Sequence, residues 1–170
     1  MQIAGIDPSL TRTAICRGDG KEPPHVRVRG SSAVNANLFF RFERYADLAR
    51  WTLAEVKPAR LIFLEGFSYG SKGAATVTLG EYGGVLRKTL LDAGMEIVEV
   101  APSTLKKFVA GKGNAKKTNI ASISTKLWGV VFDDEDEYFA HGLWRLGLAY
   151  CGKAECTTKA QSEVIAELKR

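Results

Sequence analysis

The order of its patterned segments constrains the fold of this chain more than any other feature. "QIAGID" (2–7) is an apolar run of strand length, "TRTAICR" (11–17) alternates, and "HVRVRG" (25–30) alternates again after "GDGKEPP", which is turn chemistry. Three short strands joined this way form an antiparallel meander. From residue 37 to about 56 the period turns helical, with Leu38, Phe42, Tyr45, Leu48, Ala49, Thr52 and Leu53 in step until Pro58 stops it. "ARLIFLEG" is then a buried strand, "GFSYGSKG" a glycine-rich loop, and Leu79, Gly83, Leu86 and Leu90 one face of a second helix. "MEIVEVA" is a further strand. "PSTLKKFVAG", opened by Pro102, and "NAKKTNIASISTKLWG" are helices, and a last long helix runs from an acidic stretch to about residue 150. A meander followed by βαβ alternation predicts an α/β domain with a mixed sheet. That domain is expected to span 1–152, followed by a short polar helical tail at 153–170.

Carboxylates stand at telling places in this pattern. Asp7 ends the first strand and Glu65 ends the strand after the first helix, at the kind of sheet edge where α/β sites gather. The plainer reading of either is a surface acid capping a loop. The run "DDEDE" at 133–137 holds the chain at +5 where it would otherwise stand at +10. At about 100° per residue, Asp136 falls among Phe139, Ala140, Leu143, Gly147 and Tyr150. Asp133 lies about 60° from Asp136 and Glu137 about 100°. Asp134, Tyr138, His141 and Arg145 fall on the far, polar side. Helix-dipole and capping effects account for two or three of these acids. They do not account for a carboxylate in an apolar stripe, which is costly to bury unpaired. If the last helix packs near the strand ends, Asp7, Glu65, Asp133 and Asp136 converge. An all-oxygen set without Cys or His suits Mg²⁺ or Mn²⁺ rather than zinc. Two such ions about 3.5–4 Å apart are the usual device for hydrolysing a phosphodiester.

Other features bear on partners. The pI of about 9.2 favours a polyanion. Lys106, Lys107, Lys112, Lys116 and Lys117 form the densest cationic cluster, and Gly111 and Gly113 between them suit a phosphate-meeting turn; the plainer reading is a solvated helix face. Phe67 and Tyr69, with Lys72, lie in the glycine-rich loop, where an aromatic either stacks on bases or folds back onto the domain. His141 is read as structural or surface, and Trp51, Trp128 and Trp144 as packing. Arg12 and Ser9 follow Asp7 closely. Three cysteines without CxxC spacing fit a reducing cytoplasm. No stretch reads as a membrane helix, and "MQIAGIDPSL" is not a secretory signal.

Four of these stretches, in this order, resemble a known family. "AGIDPSLTRTA" resembles the opening strand of the RuvC-type Holliday junction resolvases, within the RNase H-like nuclease superfamily. "LEGFSYGSKGAATVTLGEYGGVLR" is similar to the segment carrying their second acid, in a form closer to bacteriophage members. "PSTLKKFVAGKGNAKKTNIA" resembles their basic stretch, and the acidic helix their closing D-x-x-D motif. The likeness covers about residues 2–150. It implies a five-stranded sheet with its first three strands antiparallel, flanked by helices. It also implies a homodimeric, metal-dependent endonuclease that cuts four-way or other branched DNA. Asp7, Glu65 and Asp136 match the family's metal-binding acids. Lys106 and Lys117 match basic residues near the scissile phosphate, and Phe67 or Tyr69 an aromatic near the junction centre. The family follows its last aspartate with small residues, whereas Glu137 and Tyr138 stand here. That leaves two registers, Asp133 with Asp136 or Asp134 with Glu137, and Glu137 as an alternate ligand. Sugar-kinase and actin-like ATPases share the opening strand but need two such domains. A non-catalytic DNA-binding module and a nuclease of another specificity, such as a ribonuclease H, stay open.

Overall fold

A computed structural model describes residues 1–30, 37–67 and 74–170. Strands β1 (Gln2–Asp7), β2 (Thr13–Gly18) and β3 (His25–Arg29) are followed by α1 (Leu38–Val56), β4 (Ala59–Glu65), α2 (Ala74–Asp92) and β5 (Glu96–Val100). Helices α3 (Pro102–Ala110), α4 (Lys117–Trp128), α5 (Glu135–Tyr150) and α6 (Lys159–Leu168) complete the chain order. The sheet runs β3-β2-β1-β4-β5. Its first three strands are antiparallel, and β4 pairs parallel with both β1 and β5.

Period-2 alternation sends β1 into two cores. Ala4 and Ile6 join Ile15, Ile62 and Leu64 under Tyr45 and Leu48 of α1 and Tyr82 and Leu86 of α2. Ile3 and Phe63 face the other way, under Phe139, Leu143 and Leu146 of α5 and Leu105 and Phe108 of α3. The result is three layers, with the sheet in the middle. Burial on both faces is why β1 and β4 read as continuous apolar runs.

Helix α5 lies close on the sheet at two glycines, one in each element. A Cβ on Gly5 would come within 2.3 Å of the Ala140 carbonyl oxygen and 2.4 Å of the Trp144 nitrogen. At Gly147 a Cβ would meet Phe63 at 2.6 Å and Ile3 at 2.7 Å. Glycine on each partner therefore lets backbone meet sheet. Helix α5 is also covered on its outer side: Tyr138 and His141 are buried. The expected polar side of this helix does not exist, because α3 and α4 lie over it.

Helix α6 begins at Thr158, whose side chain accepts from the Gln161 amide at 3.2 Å. It buries Val164 and Ile165 in the same core as α3 and α5. Among the described residues no helix is long and apolar enough to cross a membrane.

Candidate active site

Parallel pairing of β1 with β4 brings their last residues, Asp7 and Glu65, to one sheet edge. Asp7 is only 5 % exposed. The two carboxyl groups interact directly, each acting on the other's protonation. Burial pushes the Asp7 carboxyl well above its usual range, and the charge of Glu65 raises it further. Glu65 is also raised, chiefly by burial, while Lys117 and Lys106 oppose the shift.

The start of α5 supplies the third acid. Asp134 is the N-cap and accepts from the Asp136 amide at 3.0 Å, while the Asp134 amide donates to Glu137 Oε2 at 3.1 Å. This reciprocal capping box commits the side chains of Asp134 and Glu137 to the helix end. Asp136, in the first turn, is left to act across the gap on Asp7. Burial raises its carboxyl, as does the charge of Asp134, against the pull of Lys117 and Arg12.

Asp133 lies elsewhere. It precedes the N-cap, is exposed, and is not among the main charges acting on Asp7, Glu65 or Asp136. Extending helical geometry back to it fails because the helix starts after Asp134. Arg12 was legible only as a neighbour of Asp7. In the fold its Nε lies 3.1 Å from Asp134 Oδ2 and its Nη2 4.0 Å from Glu137 Oε2.

His141 is buried among Trp128, Phe132 and Trp144, with ring centroids 5.2 Å, 5.4 Å and 5.4 Å away. Burial and then Arg145 lower its pKa to about 3, so it stays neutral near pH 7.

The basic residues divide. Lys117 opens α4, sets its ammonium 5.1 Å from the Phe139 ring and acts on all three acids. Lys106, on α3, acts on Glu65. Lys112 and Lys116 are exposed on the turn between α3 and α4. Lys107 instead pairs with Glu163 at 3.1 Å and Glu167 at 3.2 Å on α6. Phe67 folds back over Gly83 under the Arg87 guanidinium, 4.4 Å from its ring, and keeps 36 % of its surface exposed. Tyr69 and Lys72 lie outside the described residues.

Could these groups hold a divalent ion? The donors are hard carboxylate oxygens, with no thiol or imidazole beside them, which fits Mg²⁺ or Mn²⁺. Among the described residues no three such groups already close around one point. The preassembled part is the Asp7–Glu65 pair, whose full ionisation burial opposes and a cation would favour.

Comparison with known proteins bears on the family and the fold. The family model for the crossover junction endodeoxyribonuclease RuvC matches residues 3–135. The RuvC of Chloroherpeton thalassium is 28 % identical over 167 residues, covering 96 % of this chain and 87 % of that protein. The RuvC of Rhodopseudomonas palustris is 34 % identical over 124 residues, covering 71 % and 70 %. Thermus thermophilus RuvC in complex with Holliday junction substrate shares the fold at a TM-score of 0.67, with 18 % identity over 91 % of this chain and 98 % of that one. The yeast mitochondrial Holliday junction resolvase Ydc2 does so at 0.52, with 13 % identity over 98 % and 80 %. With most of its length matched by the family model, the chain belongs to the RuvC family of crossover junction endodeoxyribonucleases.

Proposed function

We propose that this chain is an endonuclease that cuts four-way DNA junctions by divalent-metal-dependent hydrolysis, with Asp7, Glu65 and Asp136 as its metal-holding acids. The observation that carries the reading is the buried Asp7–Glu65 pair at the ends of two parallel strands, with Asp136 facing it. Bound Mg²⁺ or Mn²⁺, two ions per site, would supply the activation of water and the positive charge at the leaving oxygen.

The protein's own residues do the rest. Asp7 and Glu65 would release to solvent the proton that burial favours and hold the cations through their carboxylate oxygens. Burial of Asp7 keeps bulk water from that side. Lys117 and Lys106 hold positive charge where the phosphate gains negative charge. Lys112 and Lys116 meet the DNA backbone, which gives affinity without reading sequence. Symmetric cuts in two strands of a junction need two such sites, so two copies act together.

Cleavage of matched four-way junction and linear duplex DNA, each with Mg²⁺ or EDTA, tests this. Wild type should cut the junction into nicked duplexes only with metal. Asp136→Asn should lose more than the roughly 10–100-fold typical of groups behind a metal's direct ligands. Full activity in that variant would refute the role of Asp136 and point to Glu137. Tight junction binding without cutting under any metal would make the chain a binding module, and equal cutting of linear duplex would remove the junction selectivity.

A further inference from the structure

Arg12 sits on the turn between β1 and β2, five residues after Asp7, and that turn is tied down from several directions. Thr13 Oγ1 donates to the Ser9 carbonyl at 2.6 Å and accepts from the Ser9 amide at 3.3 Å. The Arg12 amide donates to Ser9 Oγ at 3.3 Å. Thr13 Oγ1 also lies 3.1 Å from the hydroxyl of Tyr82, a fully buried residue of α2. From α1, Arg44 donates to the Leu10 carbonyl at 3.4 Å. The turn is thus a platform fixed to the same strand that carries Asp7.

From this platform the Arg12 side chain crosses to α5. Its Nε meets the outer carboxylate oxygen of Asp134 at 3.1 Å, while the other oxygen of Asp134 caps the Asp136 amide. Its Nη2 stands 4.0 Å from the Glu137 oxygen that closes the capping box. One guanidinium therefore forms an ion pair with Asp134 and brings its charge to the edge of reach of Glu137, the two side chains of the box that flanks Asp136.

We infer that Arg12 is a positioning residue for the active site: through Asp134 and Glu137 it sets where the start of α5 presents Asp136 to Asp7 and Glu65. The inference rests on the metal-holding role proposed for those three acids. A half-exposed ion pair adds little to global stability. Its effect falls instead on the alignment of a ligand, where groups behind the ligands are worth about 10–100-fold in metal affinity or activity.

The test uses Arg12→Gln, Asp134→Asn and the double variant. Asparagine caps a helix about as well as aspartate, so Asp134→Asn keeps an oxygen that caps Asp136 while removing the charge that pairs with Arg12 and that also raises the Asp136 carboxyl. Four readouts are needed: Mn²⁺ binding by electron paramagnetic resonance, junction cleavage, junction binding in EDTA, and thermal unfolding. Each single variant should lose about tenfold or more in Mn²⁺ affinity and in cleavage. The double variant should be no worse than the worse single, because both break one linkage. Junction binding in EDTA and the unfolding temperature should stay close to wild type. Losses that multiply in the double variant would overturn the inference, as would unchanged Mn²⁺ affinity in Arg12→Gln. Weakened EDTA binding in Arg12→Gln would also overturn it, by making Arg12 a DNA contact. Asp136→Asn serves as the control on the underlying reading. If it binds Mn²⁺ as wild type does, the acid assignment fails whatever Arg12 does.

Discussion

Asp7 illustrates how a single side chain sets the terms for the site. It is nearly out of water, in direct interaction with another carboxyl group, and its carboxyl is raised well above the usual range. The folded chain then keeps a proton that the unfolded chain releases near the ordinary carboxylate range. Stability without metal therefore falls as pH rises between those two values. Asp7→Asn removes that penalty and offers a donor to Glu65. It should abolish cleavage yet raise the unfolding temperature of the metal-free protein at pH 8. Each pKa unit is worth about 1.4 kcal/mol, and about 1 kcal/mol moves a chain of this size by 2–4 °C. Calorimetry in EDTA checks this; a lower unfolding temperature would count against a buried, penalised acid. His141 has the opposite sign. Its pKa is lowered to about 3 while the unfolded side chain titrates near its ordinary value. Its contribution to stability is present above that value and is lost as pH falls toward 3. His141→Phe, in a cage of aromatic rings, should flatten the loss of stability between pH 7 and 4.5. The pH dependence of cleavage should not change.

Helix α5 governs the site at the scale of elements, because its seat on β1 determines where Asp136 stands. Gly5→Ala would drive a methyl group into the α5 backbone at Ala140 and Trp144, with no flexible side chain to yield. Overpacking of this kind costs about 1–3 kcal/mol or more. Cleavage should fall further than stability does, which parallel melting and activity measurements would show. Much of this architecture was legible beforehand. Apolar runs, turn residues and helical periods located every strand and most helix bounds, and strand-end position alone singled out Asp7 and Glu65. The failures share one physical cause, that periodicity describes an element and not what packs on it. His141 read as outward-facing because nothing in α5 announces that α3 and α4 cover it. Asp133 read as part of a stripe because the capping role of Asp134, which starts the helix one residue later, depends on φ/ψ and not on residue type. The grip of Arg12 on α5 joins residues 122 and 125 positions apart, and no local pattern carries that. Phe67 had two readings, and Gly83 with Arg87 provides the surface onto which it folds.

For the molecule as a whole, charge is distributed by folding into two kinds of lysine. Lys112 and Lys116 are exposed where they can meet a phosphate backbone, whereas Lys107 is held by Glu163 first and then Glu167, which also raise its pKa. Replacing Lys112 and Lys116 together by alanine should weaken junction binding. It should also lower the slope of log affinity against log salt by about 0.9 for each phosphate that is no longer neutralised. Lys107→Ala should leave that slope unchanged and loosen α6 instead, seen as faster amide exchange in that helix. A slope that drops equally in both variants would mean that α6 yields Lys107 to DNA.

The seating of α5 against β1 also has a consequence for the birth of the protein. The acids of the site are far apart along the chain, at positions 7, 65 and 136, and the last arrives on the helix that roofs the first strand. Synthesis runs from the N-terminus, and contacts between distant segments form late. A growing chain carries Asp7, Glu65 and the basic turn before Asp136 has been made. On the reading proposed above, the set of three acids is complete only once α5 has left the ribosome and docked on β1.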